Sequence, residues 1–158
     1  MADYDHTKHP SVSSALCYKN PRPMLTWLED AFGFEQSMVI LDAEGNVAHS
    51  QLMFGDGLVM VGSEWSENHA SPASLGGKNT QTVHLQLKED IDAHCERARK
   101  AGAEIMQEPS TQFYGDRTYR ARDPEGHIWT FSQTVQHMTP AEWDANAPGL
   151  KTVNRIEK

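Results

Sequence analysis

The feature that most narrows the possible fold is a recurrence in the order of apolar patterns and turn residues. Residues 13–18 read as a strand. Asn20-Pro21 then opens a helix, with a side-chain oxygen suited to capping and a proline suited to the first turn. Leu25, Leu28 and Phe32 share one helical face, and Gly33 follows as a left-handed cap. Three strand patterns come next, at 34–41, 47–54 and 58–62, with turns at 42–46 and 55–57. After a polar, aperiodic segment at 63–79 the order returns. Residues 82–87 alternate tightly. Asp90 caps a helix whose Ile91, Cys95 and Ala98 share a face, and Gly102 ends it. Strands are predicted at 103–107, 117–122 and 127–132. Gly33 and Gly102 stand 69 residues apart, and so do Gly57 and Gly126. A duplicated βαβββ unit explains both offsets.

This reading divides the chain into an irregular arm at 1–12, a first unit at 13–62, a linker at 63–79, a second unit at 80–134 and a tail at 135–158. In the tail, Thr139-Pro140-Ala141-Glu142 opens one short helix carrying Trp143. The fold class is α+β, with two βαβββ units forming a paired, open, barrel-like cavity.

The second unit ends in a hairpin, YGDRTYRARDPEGHIWTF, at 114–131. Asp123-Pro124-Glu125-Gly126 suits a type I turn, since Asp bonds back, Pro presets φ and Gly fits the fourth place. If Arg122 and His127 flank the turn, Arg117, Tyr119 and Ala121 share a face with Ile128, Thr130 and Ser132. Trp129 and Phe131 then point the other way, into the core.

Composition excludes several function classes. The net charge of −8 and the lack of a basic cluster argue against a nucleic-acid partner. No apolar run approaches the roughly 20 residues of a membrane span, and the first residues lack a signal-peptide pattern. Cys17 and Cys95 have no zinc or redox spacing, and both read as small buried hydrophobes in a reducing cytoplasm.

Two βαβββ units with LTWLEDAFGFE, HSQLMFGDGLVMVG, IDAHCERARKAGAEI and YGDRTYRARDPEGHIW resemble the vicinal oxygen chelate superfamily over residues 12–134. Its glyoxalase/bleomycin-resistance branch is the nearest match. The superfamily includes glyoxalase I, extradiol dioxygenases and bleomycin-resistance binding proteins. The resemblance implies a cavity enclosed by the paired units. In the enzymes a divalent metal sits there, held by His or Glu from the first and last strands of each unit. Binding members keep the cavity and lack the metal.

Carried over position by position, the resemblance puts His84 on the first strand of the second unit and Ala15, or Ser13 with a slip of one pleat, on that of the first. On the last strands it puts Thr130 in the second unit, and Val61, or Met60 with a slip of one, in the first. Only His84 can ligate a metal, so neither metal nor cofactor is expected. A relocated site would need His49 together with His84 and a carboxylate that is not evident.

The residues expected to line a ligand cavity are His49, Gln51, His84, Gln86, Arg117, Tyr119 and Thr130. Each has a plainer reading. His49 and His84 serve equally as hydrogen-bonded histidines of a half-buried sheet, and Arg117 as the partner of Asp116 or Asp123. The expected function is a metal-independent protein that sequesters a planar polar or aromatic compound, and the expected assembly is a homodimer. Two alternatives stand beside it. One is a lyase, isomerase or dioxygenase with a relocated or absent metal. The other is a dimeric interaction module with a vestigial pocket.

Overall fold

The computed structural model describes residues 9–88 and 90–157. Most of the expected arm at 1–12 therefore lies outside the described residues. The first unit runs β1 (Ser14–Tyr18), α1 (Pro21–Phe32), β2 (Glu35–Leu41), β3 (Val47–Phe54) and β4 (Gly57–Ser63). The second repeats it as β5 (Val83–Gln86), α2 (Ile91–Lys100), β6 (Glu104–Thr111), β7 (Asp116–Arg122) and β8 (Ile128–Thr134). A 3-10 turn (Pro72–Leu75) lies between the units, and α3 (Pro140–Asn146) follows them.

Each unit makes one four-stranded sheet, in the order β1-β4-β3-β2 and β5-β8-β7-β6. In both, the first strand runs parallel to the last and the remaining pairs are antiparallel. Among the described residues the strands do not close into a barrel. β1, β2, β5 and β6 remain edges.

The helices explain why the two sheets share one core. Leu25, Leu28 and Phe32 of α1 are buried, as are Ile91, Cys95 and Ala98 of α2. Phe32 reaches across the unit boundary, its ring centroid 4.8 Å from Phe131 and 5.5 Å from Trp129. Leu16, Leu52, Val59 and Val61 of the first sheet join the same cluster as Tyr119, Ala121, Trp129 and Phe131 of the second. Each sheet thus turns one face to a common core and the other face away from it.

Polar contacts pin the units together. Arg97 of α2 donates to the carbonyls of Glu29 and Asp30, at 2.7 Å each, placing a cation at the C-terminus of α1. Gly33 follows with φ of 82°, and a Cβ there would sit 3.2 Å from that guanidinium. Glycine meets both demands. The expected side-chain cap from Asn20 does not form. Instead Glu125, from the hairpin turn of the second unit, accepts the backbone N–H groups of Lys19 and Asn20 at 2.6 and 3.0 Å. The segment between the units docks on the same turn. Ser71, fully buried, donates to Glu125, and Asn79 bonds to Gly126 and Ile128.

Two sequence readings need correcting. Arg122 pairs with Ile128, not His127, because the turn is closed by Asp123 N–H on the His127 carbonyl. This moves β7 by one pleat relative to β8. Tyr119 lies beside Phe131 on the core face, and Arg120 lies beside Thr130 on the other. The second correction concerns Gly57 and Gly126, which share the offset without sharing a role. Gly126 has φ of 94° inside its turn, whereas Gly57 pairs with Phe54 across a two-residue turn at the base of β4. The unequal turns shift the last strands, so Ala15 stands beside Met60 as His84 stands beside Thr130.

Candidate functional site

The faces turned away from the core differ in chemistry. On the second sheet, alternation places His84 and Gln86 outward while Leu85 faces inward beside Phe131. Thr130 stands next to both His84 and Arg120, and the Arg120 Nε donates to the Thr130 hydroxyl at 3.3 Å. Arg122 lies two residues further along the same face, 3.4 Å from Glu104. Gln86 donates to the Thr134 hydroxyl at 3.1 Å. This wall is polar and rich in donors, and it carries both cations (Arg120, Arg122) and carboxylates (Asp116, Glu104).

The corresponding face of the first sheet is mostly apolar. A row runs across it from Ala15 to Met60 to Gln51 to Met38, one residue from each strand. His49 pairs with Ile40 to one side of the row, and Met53 pairs with Leu58 to the other. His49 and Gln51 meet each other through their Nε2 atoms at 3.4 Å. They are the polar side chains in the middle of a methionine-rich surface.

The seven expected site residues therefore separate into three groups. His84, Gln86 and Thr130 share the outer face of the second sheet, and His49 and Gln51 share that of the first. Arg117 and Tyr119 lie elsewhere. Arg117 holds Asp92 of α2 with a two-pronged ion pair at 2.8 and 2.9 Å. This is a surface pairing, although Asp116 and Asp123 are not its partner. Tyr119 is fully buried and bonds to His94 Nδ1 at 2.6 Å. Burial pushes its phenol far above the ordinary range, so it stays protonated.

Arg120 and the methionines are the outward residues that sequence reasoning missed. The hairpin holds three arginines, and the one-pleat error selected Arg117 in place of Arg120. The methionines carried the right signal, period-two alternation in QSMVIL and HSQLMF, but they read equally well as core.

No group of three or more potential metal ligands occurs among the described residues. His49 and His84 lie on different sheets. Of the four carried-over positions, Ala15, Met60 and Thr130 have no imidazole or carboxylate, so the residues present do not fit the metal site of the enzymes. Cys17 is half-buried beside a cleft of about 230 Å³ that also involves His69, Lys78 and His127. Burial and the nearby Glu64 carboxylate raise its pKa, which keeps the thiol protonated and a poor nucleophile. Cys95 is fully buried, and burial pushes its thiol up to about 11.

The sequence profile of the Glyoxalase/Bleomycin resistance protein/Dioxygenase superfamily matches residues 5–131. The chain belongs to this superfamily. TioX from Micromonospora sp. ML1 is 33% identical, with a TM-score of 0.65 over 79% of this chain and 98% of TioX. TnmS3, an antibiotic binding protein from Streptomyces sp. CB03234, is 17% identical, with a TM-score of 0.61 over 80% of this chain and 99% of its own. At that identity the likeness concerns the fold alone. An uncharacterised protein of Mycobacterium tuberculosis is 28% identical over 140 residues, which cover 86% of this chain and 81% of the relative. Superfamily membership agrees with the paired βαβββ units and leaves the reaction open, because one fold carries many functions.

Proposed function

We propose that this superfamily member is a metal-independent small-molecule-binding protein. It sequesters a planar polar or aromatic compound and works as a cytoplasmic homodimer. The observation that carries the reading is the contrast between the two outward faces. One offers Met38, Met53 and Met60 around two polar side chains, and the other offers His84, Arg120 and Thr130. A flat ligand needs an apolar surface to lie against and a few donors to fix its orientation. The first face supplies the surface and the second the donors, and the second chain of the dimer would bring the two to one ligand. The description of TnmS3 as an antibiotic binding protein supports a small-molecule ligand.

The assembly follows from unsatisfied surface. β2 is an edge strand, and Val39, Ile40 and Leu41 on it are 37%, 49% and 48% exposed. An apolar edge of this kind invites a second chain to cover it. Two unpaired cysteines agree with a reducing compartment.

The test is a native mass-spectrometry screen of the purified protein against planar aromatic antibiotics, followed by calorimetric titration and product analysis. The expected result is stoichiometric binding to a dimer, with the compound recovered unchanged. Chemical turnover, or no binding across the panel, would overturn the reading.

A further inference from the structure

Gln51 stands in the middle of the first sheet with Met60 on one side and Met38 on the other, and it is only 8% exposed. Its Oε1 is buried and accepts no hydrogen bond among the described residues. Among the described residues its Nε2 has one polar partner, His49, at a long 3.4 Å. A buried carbonyl oxygen without a donor is costly, and a leucine or methionine at this place would pack the sheet as well without that cost. The amide also holds no second element in place, unlike the side chains of Asp123, Glu125 and His94. Its free acceptor therefore points to a group that comes from outside the chain.

We propose that Gln51 is the specificity-determining residue of the binding surface, reading an N–H or O–H donor on the edge of an aromatic ligand. This deepens the binding reading above and rests on it. The methionines on either side define the rest of the ligand. Their flexible, polarisable thioethers make favourable contacts with aromatic rings and adapt to different ring outlines. His49, hydrogen-bonded to the same amide, holds its Nε2 end and leaves the oxygen without a donor. The ligand class is thus a flat aromatic scaffold whose edge carries a phenol, an amino or an amide hydrogen. An aromatic compound with acceptors alone would leave Oε1 unpaired and would be disfavoured.

Matched probes test this without knowledge of the natural compound. Methyl-labelled protein is titrated with 2-naphthol and with 2-methoxynaphthalene, which differ by the donor, while the methyl signals of Met38, Met53 and Met60 are followed. The wild-type chain is expected to bind 2-naphthol about tenfold more tightly, the scale of one hydrogen bond to a buried group. In Gln51→Met the preference is expected to vanish while the melting temperature holds or rises. Equal affinity of the two probes for the wild type, with shifts at the same methyls, would overturn the role of Gln51 and leave the binding reading standing. A lower melting temperature with the preference intact would show Gln51 to be structural and would overturn it too. If neither probe moves those methyls, the proposal fails. The binding reading is then judged separately by the antibiotic panel.

Discussion

The phenol of Tyr18 donates a 2.6 Å hydrogen bond to the Asp123 carboxylate, tying the first strand of one unit to the hairpin turn of the other. The same carboxylate oxygen accepts the Trp129 indole N–H at 3.1 Å, and its other oxygen accepts the backbone N–H groups of Glu125 and His127. A buried carboxylate is tolerated here because four donors surround it. Tyr18→Phe removes one donor and leaves three. The expected cost is about 1–3 kcal/mol, the scale of a hydrogen bond to a charged partner. It would appear as a lower urea midpoint with an unchanged slope. An unchanged midpoint would mean that this bond does not help to join the units.

His94 gives the fold a dependence on acidity. Its Nε2 donates to the Phe32 carbonyl at 2.8 Å, which leaves Nδ1 to accept from the Tyr119 hydroxyl. Burial among aromatic rings lowers its pKa below the ordinary value of 6.5. The nearby Arg97 acts the same way, and the bond to Phe32 opposes them. The unfolded chain therefore takes up this proton at a higher pH than the folded chain does. Stability should fall as pH drops below neutral, and this contribution should level off once the folded midpoint is passed. The His94 ring signals in an NMR titration are expected to move with a midpoint below 6.5. Urea melts of His94→Gln should depend less on pH between 7 and 5. A midpoint at or above 6.5 would refute the assignment.

Much of this arrangement is legible in the sequence, and the part that is not has a specific cause. The repeated order of elements, the helix faces and the left-handed glycines at 33 and 102 all follow from local pattern. So does the outward direction of His84, because Leu85 and Leu87 must face the helix. The hairpin faces do not follow, since a strand partner is fixed by the number of residues in its turn. One residue more inside the turn at 123–127 exchanges Arg120 for Arg117 and sends Tyr119 into the core. The role of Glu125 at the start of α1 was equally invisible, because it joins residues more than a hundred positions apart. By local pattern alone Asn20 is a sufficient cap.

The exchange of arginines yields a discriminating comparison. Arg120 is exposed on the outward face beside Thr130, whereas Arg117 is engaged with Asp92. With an aromatic carboxylate such as 2-naphthoate as probe, Arg120→Ala is expected to weaken binding roughly tenfold through loss of a charge-assisted contact. Arg117→Ala should leave the affinity unchanged, and its exposed ion pair should add little to stability. Calorimetric titration of both variants decides the matter. The reverse ranking would place the anion site at the α2–β7 surface.

The last prediction concerns metal. The resemblance puts Ala15, Met60, His84 and Thr130 where enzymes of the superfamily draw their ligands, and of these His84 alone offers a strong donor. The neighbour of His84 in register is Thr130, whose hydroxyl already accepts from the Arg120 guanidinium. The Arg120 guanidinium beside Thr130 disfavours a divalent cation at that point and favours an anionic group in its place. The chain should therefore purify without stoichiometric zinc, nickel, iron or manganese. Treatment with EDTA should leave both its melting temperature and its ligand affinity unchanged. His84→Ala should lower affinity for the ligand without altering metal content. Elemental analysis returning about one transition metal per chain, lost in His84→Ala, would reverse this conclusion, since metal sites of this type need three or more protein ligands. It would mean that groups outside these four positions, such as those of a second chain, complete the site, and it would favour the enzyme reading over the binder.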